Sequence, residues 1–401
     1  MRVLQINSVC GVGSTGRIAT DIHSILLDQG SESHVAYGRG LANNCNQSIK
    51  IGSKIDNYFH VLSTRLFDIH GFSSTFATKK LIKEIVKLDP DIIHLHNIHG
   101  YYLNIDVLFQ YLRVCKKPII WTLHDCWSFT GHCAYFDFVD CDKWKTKCYN
   151  CPQKAEYPKS IIVDRSKKNF DNKKDIFTGV ENLTLVTPSK WLSLLVKESY
   201  LKDYSVEVIN NGIDLDTFKP TSNKFKDDPR VRDKFIILGV ASIWEKRKGF
   251  DYFLQLSKRL SSEEVIVLVG LNENQMKDLP ENVIGITRTN NINDLADLYS
   301  SSDIFFNPTL EDNFPTTNLE SLACGTPVIT FKTGGSVESI DEETGFIIEK
   351  GGLDELLKKI EIIKESDQNS YVLKCRNRAV NLYNKNEKFI EYIQLYNKKL
   401  K

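Results

Sequence analysis

Neither sign of charge is in excess: Lys and Arg number 52 against 51 Asp and Glu, a net charge of +1. A dedicated nucleic-acid binder carries a basic surplus or stripe, so that class is set aside and no nucleic-acid partner is expected. Long apolar runs are also missing. The longest, Phe235 to Trp244, is about half of the roughly 20 residues a membrane-spanning helix needs. The first residues, Met1-Arg2-Val3-Leu4-Gln5-Ile6-Asn7, break into polar chain too early for a secretory leader. These absences together predict a soluble, cytoplasmic protein. There is no repeat at solenoid periods and no low-complexity tract beyond local Lys/Asn richness. With 41% hydrophobic and 26% charged residues, the composition excludes disordered and fibrous chains.

What is present is a pattern of alternation. A length of 401 residues suits two domains of ordinary size. Short Val/Ile-rich runs at Val3–Asn7, His34–Tyr37, Asp91–His96 and Pro118–Leu123 read as strands, and Arg17–Gln29 and Ile105–Val114 as helices. The series restarts with strands at Phe235–Ala241, Val265–Gly270, Asn282–Ile286, Ile304–Asn307 and Pro327–Phe331. Helices at Phe250–Leu260, Ile292–Ser300 and Thr317–Ala323 separate them. Such alternation predicts an α/β chain of two doubly wound parallel sheets. Residues 1–210 form the expected first domain, with a Cys-rich insertion at 126–158. A hinge and linker over 211–232, marked by Asn211-Gly212, leads to a second domain over 233–385. A last helix, 386–401, is expected to pack back on the first domain. Ligands of such sheets bind at the carboxyl ends of strands, here in a cleft expected between the two domains.

Gly11-Val12-Gly13-Ser14-Thr15-Gly16, followed by Arg17, opens a helix after the first strand and matches G-x-G-x-x-G. The approach from Asn7 to Gly11 is longer than the tight dinucleotide turn, and the second strand ends in Tyr37-Gly38-Arg39 with no carboxylate for a ribose. A flexible loop on the acceptor side of the cleft is the better expectation, with an NADP oxidoreductase as a rival. Cys133, Cys141, Cys148 and Cys151 are separated by seven, six and two intervening residues. The final C-x2-C is half of a structural zinc site, so a tetrahedral site of four thiolates is expected, with His132 as a substitute ligand. Unligated thiols and disulfides are the alternatives. Two D-x-D strings, Asp140-Cys141-Asp142 and Asp214-Leu215-Asp216, end no early strand and are not read as a metal motif.

The most informative stretch is Leu310-Glu311-Asp312-Asn313-Phe314-Pro315-Thr316-Thr317-Asn318-Leu319-Glu320. A strand runs out, a loop carries two acids, and a helix begins with Glu320 inside it. A carboxylate so placed accepts two hydroxyl hydrogen bonds, as from a ribose diol. Ser242 to Gly249 supplies Arg247 and Lys248 after a strand, a bidentate donor and a point charge for phosphate.

These residues resemble the E-x7-E signature of retaining glycosyltransferases of family 4, which have the GT-B fold. The further matches are Thr122-Leu123-His124-Asp125, Pro188-Ser189, Asn211-Gly212-Ile213-Asp214, Lys248-Gly249, and Thr333-Gly334-Gly335 with Glu338. They span nearly the whole chain in order. The segment His124–Pro158 resembles enzymes of colanic-acid and O-antigen polysaccharide assembly. Two departures stand out: Asp312 occupies the place of the first Glu, and Ile243 stands where an Arg is common, with Arg247 as its substitute.

The resemblance implies transfer of a sugar from a UDP- or GDP-sugar to a saccharide acceptor, lipid-linked and reached by peripheral membrane contact, with retention and no catalytic metal. His124, Asp312 and Glu320 are then the catalytic candidates. Arg247, Lys248, Asn313, Phe314, Pro315, Thr316, Glu320, Gly334 and Gly335 bind the donor. Gly11, Gly13, Gly16, Arg17, Tyr101 and Asp125 line the acceptor side. A sugar-nucleotide epimerase of the same architecture and a silent sugar-nucleotide binder are the remaining alternatives.

Overall fold

A computed structural model describes residues 1–401. The chain divides into two compact units, Met1–Asn210 joined by Lys388–Lys401, and Asn211–Glu387. The first contains β1 (Arg2–Asn7), α1 (Gly13–Asp28), β2 (Glu32–Tyr37), β3 (Ser48–Lys50), α2 (Lys54–Phe67), α3 (Thr75–Leu88), β4 (Ile92–Leu95), α4 (Ile105–Val114), β5 (Ile119–Thr122), α5 (Ser166–Phe177), β6 (Leu183–Thr187), α6 (Lys190–Glu198) and β7 (Ser205–Val208). The second contains β8 (Phe235–Val240), α7 (Phe250–Ser257), β9 (Glu264–Val269), α8 (Glu273–Lys277), β10 (Val283–Ile286), α9 (Ile292–Ser301), β11 (Ile304–Asn307), α10 (Thr316–Ala323), β12 (Val328–Phe331), β13 (Gly345–Ile348), α11 (Leu353–Glu365) and α12 (Gln368–Tyr383). The last helix, α13 (Lys385–Leu400), begins in the second unit and runs into the first.

The first unit is built on a seven-stranded parallel sheet of order β3-β2-β1-β4-β5-β6-β7. Its central strands β1, β4, β5 and β6 are buried on both faces because alternate residues serve different cores. Leu4, Ile6, Ile93, Leu95, Ile119, Trp121, Leu183 and Leu185 face one core. Their neighbours Val3, Ile92, Ile120 and Val186 join the other. There they meet Ile18 and Ile22 of α1 and Phe389, Tyr392, Ile393 and Tyr396 of α13. The C-terminal helix is thus a structural layer of the first unit.

The second unit has a six-stranded parallel sheet of order β10-β9-β8-β11-β12-β13. In each sheet the strand order reverses at one place, between β1 and β4 and between β8 and β11. Loops leaving the carboxyl ends of those strands diverge and open a ligand site.

The segment 211–232, expected as a linker, is instead part of the second unit. Ile213, Phe218 and Val231 belong to its core. The Ile213 amide donates to the Tyr383 carbonyl at 2.7 Å, and the Asp297 carboxylate accepts from the Thr221 hydroxyl at 2.6 Å. The polar composition reflects a surface strap rather than a free connection. Asp214 of the second D-x-D string pairs with Lys385 at 2.7 Å and accepts from the Asp216 and Thr217 amides, so its role is to close a turn. No helix is long and apolar enough to cross a membrane.

Candidate functional site

In the second unit the loop after β8 and the loop after β11 meet at the strand-order reversal. The first forms a single tight turn over Lys246–Lys248 that ends at Gly249 with φ +77°. A side chain there would put its Cβ 2.2 Å from the Pro308 carbonyl oxygen, so only glycine lets the basic turn lie against the second loop. The Leu310 amide donates to the Arg247 carbonyl at 2.8 Å, and Arg247 Nη1 donates to the Glu311 carbonyl at 2.7 Å. Lys248 Nζ donates to Asp312 Oδ2 at 2.5 Å, and Arg247 Nη1 lies 3.7 Å from that same oxygen. Arg247, Lys248 and Asp312 therefore form one charged hub.

The hub is half-buried, with the Arg247, Asp312 and Lys248 side chains 12%, 17% and 25% exposed. Burial pushes the Asp312 carboxyl up, but Lys248 and Arg247 outweigh it and hold it below its ordinary value. Burial lowers the Lys248 ammonium against the opposing pull of Asp312. A third loop locks on from β12. The Gly335 amide donates to the Asp312 carbonyl at 3.0 Å, and Gly334, at φ +52°, would place a Cβ 2.2 Å from that carbonyl oxygen. The close approach expected of Gly334 and Gly335 is thus made to the hub's own backbone.

Helix α10 starts directly behind this loop, after Pro315, at Thr316. Asn313 and Phe314 are buried, and the Phe314 carbonyl accepts from Asn211 Nδ2 at 3.0 Å, which ties the Asn211-Gly212 turn to the same loop. Glu320 is 5% exposed and accepts from the Tyr299 hydroxyl at 3.0 Å. Its carboxylate is therefore oriented by a partner on α9 that sequence spacing gives no means of pairing with it.

In the first unit the carboxyl ends of β1, β4 and β5 gather a second group. Gly11 turns at φ +69°, where a Cβ would meet the Asn43 carbonyl oxygen at 2.1 Å, and its amide donates to the Gly16 carbonyl at 3.0 Å. Gly13 opens α1, Gly16 is buried against Val9, and Arg17 is exposed. His124 and Asp125 follow β5 and line a small pocket with His96, His99, Trp121 and Trp127. Asp125 Oδ2 lies 3.0 Å from His99 Nε2, and Oδ1 accepts from the Trp127 amide at 2.9 Å. Burial pushes the Asp125 carboxyl up, yet His99 beside it holds it below its ordinary value. His99 Nδ1 is 2.8 Å from the Tyr157 hydroxyl. Tyr101, held at φ +68°, packs on His70 with ring centroids 4.6 Å apart and carries Arg39 over its ring at 5.9 Å.

His124 Nε2 is 3.1 Å from His96 Nδ1, and His96 Nε2 is 3.0 Å from Gln5 Oε1. Burial lowers the His124 pKa to about 4, so the ring is neutral near pH 7. His96, His99, Gln5 and Tyr157 were not among the expected site residues. The spacing His94-Leu95-His96 would have revealed part of this group, because period two puts both rings on one side of a strand end.

The Cys-rich segment gathers its thiols around one cavity. Cys133, Cys141, Cys148 and Cys151 line one cavity, together with His132. No three of the His, Cys, Asp or Glu side chains stand at a spacing that would hold a metal ion. Three of the thiols have partners: Cys133 and Cys151 are hydrogen-bonded to each other, and Cys148 Sγ accepts from the Gly131 amide at 3.2 Å. His132 Nδ1 is bound to Asp68 at 2.5 Å. None of the ten cysteines is in a disulfide.

Residues 234–365 match the family model described as "Glycosyl transferases group 1". The chain is 26% identical over 382 residues to the putative colanic acid biosynthesis glycosyl transferase WcaC of Escherichia coli K12, covering 91% of this chain and 90% of that one. It is 27% identical over 209 residues to the UDP-Gal:alpha-D-GlcNAc-diphosphoundecaprenol alpha-1,3-galactosyltransferase of Escherichia coli, covering 48% of this chain and 54% of that one. Among solved structures, the sucrose-phosphate synthase of Thermosynechococcus elongatus superposes with a TM-score of 0.73 at 17% identity, covering 99% of both chains. The chain carries a group 1 glycosyl transferase domain in its second unit, on a two-domain α/β fold of the GT-B type.

Proposed function

We propose that this glycosyltransferase moves a sugar from a UDP- or GDP-sugar to a saccharide on a lipid carrier, with retention of anomeric configuration, during assembly of a surface polysaccharide. The observation that carries the reading is the Arg247–Lys248–Asp312 hub at the strand-order reversal of the second unit. Breaking the bond between the anomeric carbon and the phosphate oxygen sends the electron pair to the diphosphate and leaves positive character on the sugar. Fixed cations stabilise the first charge without reorganising, which is where an enzyme gains most. Arg247 and Lys248 supply that field, while Asp312 and the loop amides hold sugar hydroxyls. Glu320, oriented by Tyr299, takes the ribose diol.

In this reading the acceptor hydroxyl attacks the face from which the diphosphate leaves, and the departing phosphate oxygen takes its proton. The first unit binds the acceptor, with His124 accepting a hydrogen bond from a sugar hydroxyl and Asp125, Tyr101 and the Gly11–Gly16 loop around it. The two Escherichia coli relatives, named for colanic acid and for a diphosphoundecaprenol-linked acceptor, favour a lipid-carried saccharide in polysaccharide assembly. So does α2, whose Ile55, Tyr58 and Phe59 are 68%, 69% and 62% exposed, with Leu62 one turn on. That apolar stripe, together with exposed Lys79, Lys80 and Lys83 on α3, suits peripheral contact with an anionic membrane.

A thermal-shift panel of UDP-, GDP- and ADP-sugars tests the reading, since a ligand stabilises in proportion to the logarithm of its concentration over Kd. One base should raise the unfolding midpoint, and Lys248→Ala should cut the rise at the same ligand concentration. No shift with any nucleotide sugar overturns it.

A further inference from the structure

We infer that Gln5 and His96 are positioning residues that fix the tautomer of His124, placing its proton on Nε2 and making Nδ1 the hydrogen-bond acceptor of the ring. The inference rests on the proposed role of His124 and adds what sets its chemistry.

The relay starts at a group whose polarity is not in question. The Ala19 carbonyl only accepts, and Gln5 Nε2 donates to it at 2.9 Å. That fixes the amide of Gln5, so the atom facing His96 is the acceptor Oε1, at 3.0 Å from His96 Nε2. His96 Nε2 must then carry a proton. Burial holds the His96 pKa well below its ordinary value, so the ring carries one proton only and Nδ1 is a bare lone pair. His124 Nε2, 3.1 Å from that lone pair, is consequently the donor of the next bond. His124 is itself neutral near pH 7, which leaves its own Nδ1 unprotonated.

The ring of His96 is kept from turning by its neighbours. His94 packs on it with centroids 4.0 Å apart, and His94 is held at both nitrogens, by the Tyr396 hydroxyl at 2.7 Å and Thr122 Oγ1 at 2.8 Å. The His96 and His124 rings have their centroids 5.4 Å apart and their planes 17° apart, an alignment that suits a bond from one ring nitrogen to the other. Sequence explains the layout. Gln5 shares the strand face of Val3, and His96 follows β4, whose register pairs Ile6 with Leu95. A polar side chain in the middle of a buried strand has no packing value of its own. Here its two polar ends are both used to transmit direction from a backbone carbonyl to His124.

The test is long-range proton–nitrogen correlation NMR of the full chain labelled with 15N-histidine, with His124 assigned by loss of its signals in His124→Asn. Wild type should show His124 protonated at Nε2 and bare at Nδ1. Gln5→Met removes the first acceptor without touching His124, and should let the His124 proton redistribute to Nδ1. His96→Phe should do the same, whereas His96→Gln, which restores an acceptor, should keep Nε2–H. In turnover the first two variants should lose about tenfold or more in kcat, the scale on which an orienting partner acts, with donor KM little changed and recovery in His96→Gln. A wild-type His124 protonated at Nδ1 overturns the relay whether or not any variant folds. So does a Gln5→Met protein whose His124 tautomer is unchanged. The spectra need no substrate. An intact relay in a protein that transfers no sugar would therefore count against the function proposed above and not against the relay.

Discussion

Lys248 Nζ donates to Oδ2 of Asp312 at 2.5 Å, so the cation expected to hold a phosphate is already engaged by an acid of the same site. The two substitutions should therefore separate. Lys248→Ala removes a charge-assisted bond worth about 1.5–3 kcal/mol and should weaken UDP or GDP binding roughly 10–100-fold. Asp312→Asn removes the competing carboxylate, so nucleotide binding should hold or tighten while sugar transfer falls. Calorimetric titration with the nucleotide alone, beside turnover, checks the pair. Parallel loss of both in Asp312→Asn would contradict the division of roles.

Gly334→Ala should be costly out of proportion to one methyl group. The new Cβ would sit 2.2 Å from the Asp312 carbonyl oxygen, in a backbone conformation of φ +52°. Strain of this kind costs on the order of 1–3 kcal/mol, and relief would drag Asp312 off the basic turn. Urea unfolding should show the loss of stability, with nucleotide binding reduced as well. Wild-type values in both would mean the two loops are not packed as described.

Acid should destabilise the first unit before its carboxylates titrate. Burial lowers His60 to about 3 and His124 to about 4, and puts His70, His94 and His96 well below their ordinary value. With folded values below the unfolded one of about 6.5, the unfolded chain takes up protons first as pH falls. The stability is present above pH 6.5 and is lost from there down toward the folded values. Each group contributes at most about 1.4 kcal/mol per pH unit. Unfolding free energy measured from pH 7.5 to 4.5 should fall steeply below 6.5, and less steeply in His60→Gln. A flat profile would show that these rings are solvated.

Tyr396→Phe should destabilise the first unit although residue 396 is remote in sequence from every strand. Its hydroxyl lies 2.7 Å from His94 Nδ1 in a fully buried position. Loss of one partner of a buried hydrogen bond costs about 1–3 kcal/mol. A shifted unfolding transition checks it.

Much of the fold was legible because buried parallel strands leave runs that turn-forming residues delimit. Ile105–Val114 and Ile304–Asn307 lie where the pattern puts them. Helix α2 did not announce itself, since it buries only His60 and Thr64 and turns Ile55, Tyr58 and Phe59 outward. Periodicity finds helices by the face they bury, and here that face is polar. At the site, the basic turn and the acidic loop were readable because each is a local string at a strand end. The bond between Tyr299 and Glu320 was not, because it joins two helices through tertiary packing. In the Cys-rich segment the spacing along the chain fixes reach and not direction, so the bond between Cys151 and Cys133 and the one from the Gly131 amide to Cys148 were not readable from it.

Because Phe389, Ile393 and Tyr396 complete the layer that covers Val3, Ile18 and Ile22, the first unit cannot finish folding when its first 210 residues leave the ribosome. Its greasy face must wait, exposed, through synthesis of the entire second unit. A nascent chain halted before residue 388 should recruit chaperones and be cut readily by proteases, and supplying the helix in trans as a peptide should rescue it.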